Sequence, residues 1–433
     1  MQVALSYGKT GLPVELPEDN LTVVEPVFVP GLDDEQGAIA EALNHPLGCP
    51  ALKDTVRPSD TVAVVFCDAT RPVPNRRILP AILGELERVG VKRDQIVLIN
   101  ALGTHRPSPP QELVELLGED LVREYRVVQH DCCDRQTMAL AGRLSTGQEF
   151  WVNRDYMSAD FKILTGFIEP HFFAGFSGGG KLVFPGIASL ENIKEAHGYR
   201  ILSHDRSTWG NTRGNPVWEL LTEGAQLTAP DFIVNVTLNS EKAITGVFAG
   251  ELRTAHAQGA EHAKRTAMRA VSERFDVVIT TNSGYPLDRN VYQTVKGISA
   301  AAGIVKKGGA IIAAAECIDG IPAGSHYHQL LERAGTPERA LGLIANPGFS
   351  MQDQWQVQLQ AEIQMRADVY LYSHRLSPDE IRTTMLKPCQ QIEDTLADLL
   401  RVYGQDASIC VLPEGPQTIP YVDSAADPDD IEC

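Results

Sequence analysis

No apolar run in the 433-residue sequence approaches the roughly 20 residues that span a bilayer. The opening segment, MQVALSYGKTGLPVELPEDN, lacks the charged-then-apolar pattern of a secretory leader. The eight cysteines include no CxxC pair, and the adjacent Cys132 and Cys133 cannot form a relaxed disulfide with each other. Neither a disulfide framework nor a cysteine zinc centre is therefore expected. Basic residues are also scarce, 38 against 56 acidic, for a formal net charge of −18. That balance argues against nucleic acid as a partner, because phosphate binding needs clustered Lys and Arg. A small anionic substrate stays compatible, since a pocket can be locally basic inside an acidic protein. Together these absences predict a cytoplasmic protein with reduced thiols, without a membrane or nucleic-acid partner.

What is present reads as alternating strands and helices. Thr61–Phe66, Gln95–Asn100 and Phe161–Phe167 are short apolar runs of the kind buried on both faces of a parallel sheet. Helical stretches are expected over Ile78–Val89, Gln111–Leu117, Ser189 to about His197, and Glu251–Ala270. Residues 233–248 read as a hairpin or meander, and the segment before Pro30 as short strands and turns. Phe275–Thr280, Ala310–Ala315, Val369–Ser373 and Ser408–Leu412 continue the pattern after a boundary near 270. The fold class is α/β with two domains, 1–270 and 271–433. Each is expected to hold a mainly parallel sheet flanked by helices, with the active site in the cleft between them. Asp68, Arg71, His105, His171, Lys181, Asn282 and Tyr285 all follow strands, where open parallel sheets place their ligands.

Gly175-Phe-Ser-Gly-Gly-Gly-Lys181 is the sharpest local signal. Consecutive glycines let a backbone approach an anion closely and direct N–H groups at it. The segment fits the start of a Walker A loop, but Leu182 stands where Ser or Thr would hold magnesium. A P-loop phosphotransferase, a non-catalytic anion-binding module and a structural Gly-rich turn are the alternatives open at this point. HExxH is absent, and His326 and His328 lack companions at ligand spacing, so both read as loop residues.

The wider set of motifs resembles the nickel-pincer lactate racemases. It comprises Asp68-Ala-Thr-Arg71-Pro, Gly103-Thr-His105-Arg-Pro, Gly166 through Lys181, Phe184-Pro-Gly-Ile-Ala-Ser189 and His197. Asn282-Ser-Gly-Tyr285-Pro-Leu-Asp288, Tyr292-Gln293-x-x-Lys296-Gly and Asp353-Gln-Trp355 follow in family order.

The resemblance implies an isomerase that racemises or epimerises a small 2-hydroxy acid. It implies a pyridinium mononucleotide carrying nickel between two sulfur arms, delivered by cofactor-synthesis enzymes. His197 is similar to the family's protein-derived nickel ligand, a role that suits imidazole. Lys181 is similar to the lysine that tethers the cofactor. Ser177, Gly178, Gly179, Gly180 and Asp68 match positions around the nucleotide. His105 and His171 match a pair of acid–bases, one for each enantiomer, while the α-hydrogen leaves as hydride to the cofactor. Arg71, Gln293 and Lys296 are candidates for the substrate carboxylate, and Tyr292 and Trp355 for the pocket wall. Two departures are visible: Gly180 stands where a basic residue is common, and Cys317-Ile-Asp-Gly-Ile-Pro-Ala-Gly is unlike the lactate-type segment. Lactate, malate, a longer or aromatic hydroxy acid and a sugar acid all remain open as substrates.

Overall fold

A computed structural model describes residues 1–423 of the chain. These residues divide into two compact units, one running from Phe28 to Thr266, the other combining Met1–Val27 with the chain from Ala267 onward.

The Phe28–Thr266 unit is built on six strands in the order 244–250, 232–238, 161–167, 62–67, 96–101 and 126–129. All neighbours pair in parallel except Phe232–Leu238 with Ile244–Gly250, which form the expected hairpin. Val62–Cys67 is buried along its whole length, as a central parallel strand covered on both faces must be. The following helix, Asn75–Val89, buries Ile78, Leu79, Ile82, Leu83 and Leu86 on one stripe. It stops at Gly90, whose φ of 105° ends the helix in a left-handed turn.

The other unit carries a fully parallel sheet in the order 387–389, 368–372, 305–314, 275–281, 409–412 and 21–23. Strand alternation divides its core into two layers. Val278, Ile311, Val369 and Cys410 face one side with the helix Val291–Ala302. Val277, Ile279, Ile312 and Val411 face the other, packed on Val3, Leu5, Val14 and Leu16 of an N-terminal hairpin.

The N-terminal segment marks the main difference from the expected 1–270 and 271–433 division. Its strand Leu21–Val23 completes the second sheet by pairing with Ile409–Leu412. A three-residue edge strand carries no local sign of which sheet it joins; its partner is set by long-range pairing. The segment 138–153, which the sequence left without an element, is an antiparallel hairpin. His326 and His328 lie in a helix, His326–Ala334, capped by Ser325, and not in a loop. Among the described residues no helix is long and apolar enough to cross a membrane.

Candidate active site

Three neighbouring parallel strands of the Phe28–Thr266 unit deliver polar side chains at their carboxyl ends. Asp68, Thr70 and Arg71 follow Val62–Cys67, His105 follows Ile96–Ala101, and Glu169 and His171 follow Phe161–Phe167. The shared direction of these strands puts them on one sheet edge.

Asp68 and His105 form the first pair, Oδ2 to Nδ1 at 2.8 Å. Thr70 Oγ1 donates to the other carboxylate oxygen at 2.7 Å. Burial alone would raise the Asp68 pKa, but the His105 and Thr70 hydrogen bonds outweigh it and hold the carboxyl below its ordinary value. An ionised carboxylate only accepts, so the neutral His105 ring carries its proton on Nδ1 and its lone pair on Nε2.

The second pair is His171 and Lys181, with Nε2 and Nζ 3.2 Å apart. His171 Nδ1 accepts the backbone N–H groups of Phe173 and Ala174, both at 3.2 Å. With Nδ1 so used, a neutral ring holds its proton on Nε2 and donates it to the uncharged form of Lys181. Burial, and after it the Arg71 charge, bring the Lys181 pKa down to about 7 against the opposing Glu169 carboxylate. Arg71 is itself paired to Glu169 at 3.0 Å. Phe172 lies flat on the His171 ring, centroids 4.7 Å apart, and Trp209 packs on Phe172 at 5.8 Å.

His197 is the C-cap of the helix Leu190–Ala196, whose N-cap is Ser189. Its Nδ1 donates to the Ile193 carbonyl at 2.8 Å, which leaves the lone pair on Nε2. Burial, together with nearby Lys181, pushes its pKa down to about 4 against the opposing Ile193 contact. A metal ligand must be unprotonated, and this imidazole is so held at neutral pH.

The glycines of the loop are largely accounted for by packing. Gly179 N–H donates to Asn235 Oδ1 at 2.7 Å. A Cβ on Gly178 would stand 2.7 Å from Asn235 Oδ1, and one on Gly179 2.6 Å from His256 Cδ2. One on Gly180 would meet Ala225 Cβ at 3.0 Å. Ser177 Oγ donates to the Phe167 carbonyl and accepts from Glu169 N–H, both at 2.9 Å. His256 Nε2 donates to the Ser177 carbonyl at 2.9 Å. Asn235 and His256 are site-shaping residues that no motif in the sequence marks. The one available signal was a polar Asn in the apolar strand FIVNVTL; nothing local distinguishes His256 from other helix residues.

Tyr292, Gln293 and Lys296 belong to the other unit, on the helix Val291–Ala302 capped by Asn290. Spacings of three and four residues put them on one helix face. Tyr292 packs edge-on to Tyr327 at 5.2 Å, and its hydroxyl interacts with Asp353 and Trp355. Burial and the Asp353 carboxylate raise the Tyr292 pKa, so the phenol stays protonated. Trp355 lies buried on the helix Gln354–Gln364.

Both halves of the chain match family models: residues 7–210 the lactate racemase N-terminal domain, and residues 270–419 the lactate racemase C-terminal domain. A lactate racemase of Thermoanaerobacterium thermosaccharolyticum is 32% identical over 96% of this chain and 98% of its own. One from Lactiplantibacillus plantarum is 33% identical over 95% of this chain and 98% of its own. The lactate racemase apoprotein structure from T. thermosaccharolyticum superposes with a TM-score of 0.90 at 31% identity, covering 97% of this chain and all of the other. A Thermotoga maritima protein shares the fold at a TM-score of 0.66 and 20% identity, covering 90% of this chain and 98% of its own. The motifs at the sheet edge, the two domain matches and the full-length relatives agree: the chain is an isomerase of the lactate racemase family.

Proposed function

We propose that the protein racemises or epimerises a small 2-hydroxy acid, with lactate the first substrate to test, using His105 and His171 as paired acid–bases and a nickel-pincer nucleotide as cofactor. The observation that carries this reading is the pair of imidazoles at one sheet edge, each engaged at Nδ1. His105 Nδ1 is held by the ionised Asp68, so a neutral ring has its lone pair on Nε2. His171 Nδ1 accepts two backbone N–H groups, with Nε2 beside the Lys181 amine. Racemisation needs one neutral ring to take the substrate hydroxyl proton and an imidazolium on the other side to return a proton.

The residues present fit the cofactor. Lys181 is half-buried, and its amine is substantially uncharged near neutral pH, as a covalent tether requires. His197 supplies an imidazole nitrogen kept unprotonated, as a nickel ligand requires. Among the described residues no cluster of three conventional ligands includes His197, so a metal there must bring ligands of its own. When bound, the nickel-pincer nucleotide supplies an acceptor for the α-hydrogen.

The chain's own residues do the rest. Asp68 orients His105 and fixes its tautomer. The Phe172 ring covers one face of His171, so that histidine exchanges protons in its ring plane. Arg71, engaged with Glu169, is the carboxylate-binding candidate beside the histidines; Gln293, Lys296, Tyr292 and Trp355 join the substrate set on the family resemblance. Ser177 and Gly178–Gly180 shape the loop that carries Lys181, with phosphate contact from this loop again resting on the resemblance. The leading alternative, a P-loop phosphotransferase, is disfavoured by Leu182 and by the Gly179 N–H being taken by Asn235.

The test is to express the protein with cofactor-synthesis enzymes and follow optical rotation of each lactate enantiomer. Racemisation that depends on both histidines supports the reading. Full activity in a His105→Ala, His171→Ala double variant contradicts it.

A further inference from the structure

We propose that the loop after the strand Arg126–Gln129 is a site for a thiophilic divalent cation, zinc foremost, held by Cys132 Sγ, Cys133 Sγ and an Asp131 carboxylate oxygen. The sequence argued against a zinc centre because no CxxC pair is present. The structure nevertheless brings the ligand atoms of these three consecutive residues within 4.8 Å of one another.

The sulfur separation carries the proposal. Both cysteines are free, and their Sγ atoms lie 3.8 Å apart. In a tetrahedral site with zinc–sulfur bonds of about 2.3 Å, two thiolates stand about 3.8 Å apart. A disulfide would need them at about 2.05 Å, a closure of well over an ångström in adjacent residues. The two thiols are in hydrogen-bond contact at a separation that a bound metal would keep, so zinc can replace the shared proton without moving the sulfurs.

The surroundings suit an ion that enters from solvent. Cys133 and Asp131 are exposed while Cys132 is buried. Cys133 N–H donates to Asp131 Oδ1 at 2.9 Å, which holds the carboxylate beside the thiols. Two thiolates and a carboxylate favour zinc over magnesium or calcium, with water as a fourth ligand. Thiols must lose their protons to bind zinc, so uptake releases protons and strengthens with pH. The loop also connects to the candidate active site: the Cys132 carbonyl accepts Leu190 N–H at 2.8 Å, at the start of the helix that ends at His197. Zinc here would brace that helix from its far end.

The experiment uses the full chain produced without cofactor-synthesis enzymes and kept reduced. Zinc chloride is titrated against a chromophoric chelator, and cobalt chloride is followed by absorption. Expected are one zinc per chain, a thiolate-to-cobalt charge-transfer band, and retention of both in His197→Ala. Cys133→Ser, at an exposed position, should lose the band and weaken zinc binding at least tenfold while keeping its circular dichroism. Asp131→Asn should weaken it less. Zinc binding that Cys133→Ser leaves unchanged, cobalt bound without a charge-transfer band, or no zinc uptake at all overturns the proposal.

Discussion

The Lys181 amine lies 3.2 Å from His171 Nε2, on a ring whose Nδ1 already accepts two backbone N–H groups. Burial and Arg71 bring the Lys181 pKa down to about 7, so the uncharged amine is well populated at neutral pH. Amine-directed acylation of the apoprotein should therefore modify Lys181 with a midpoint near pH 7, whereas an exposed lysine needs a pH near 10.4. The unfolded chain binds a proton at this lysine that the folded chain lacks, so stability rises with pH between those values. Lys181→Met should remove that slope and raise the melting temperature at neutral pH. Labelling of Lys181 only above pH 10 would show a charged amine.

Asp68 supports His105 through a carboxylate whose folded pKa lies below its ordinary value. Its contribution to stability is present above about pH 4 and disappears as the pH falls through the lowered folded value. Asp68→Asn should flatten the stability curve in that acidic range. It should also reduce racemisation about 10- to 100-fold, by analogy with the loss of the hydrogen-bond partner that orients a metal-bound histidine. Wild-type rates in Asp68→Asn would remove this carboxylate from the mechanism.

The positions of these groups were legible because short apolar strands announce themselves, and polar residues just past them must fall on a parallel sheet's carboxyl edge. Phe161–Phe167 has the same limits in sequence and structure. Protonation states were not legible, because they depend on contacts distant in sequence or on loop backbone: Asp68 with His105, and His171 with the amides of Phe173 and Ala174. Asn235 and His256 were hidden for the same reason, since each acts on a loop at least 50 residues away. Cys132 and Cys133 were read only as a pair unable to bridge; how far apart the turn sets their sulfurs could not be read from their adjacency.

His197 and His256 are both held neutral by burial, which lowers their folded pKa values. The unfolded chain protonates them near pH 6.5, so this part of stability is lost as the pH falls below that value. For His197 the loss is complete near pH 4, where the folded ring also protonates. His197→Gln should shrink this acid sensitivity and, in protein matured with the cofactor, abolish nickel retention while the fold persists. Nickel kept at wild-type stoichiometry would assign the ligand elsewhere.

Asn235 and His256 fix the backbone of Gly179 and Ser177, two and four residues before Lys181. Asn235→Ala should free the Gly179 N–H and lower the yield of covalently modified Lys181, read by intact mass, at least tenfold. Asn235→Asp retains an acceptor for that N–H and should restore most of it. Equal modification in Asn235→Ala and wild type would make this hydrogen bond dispensable.

In the proposed mechanism His105 and His171 move only the hydroxyl proton while the α-hydrogen travels separately. In a single turnover of α-deuterated lactate in ordinary water, deuterium is expected to stay largely at the α-carbon of the inverted product. Complete exchange of that label with solvent would make a histidine or other protein base the acceptor of the α-hydrogen and rule out hydride transfer.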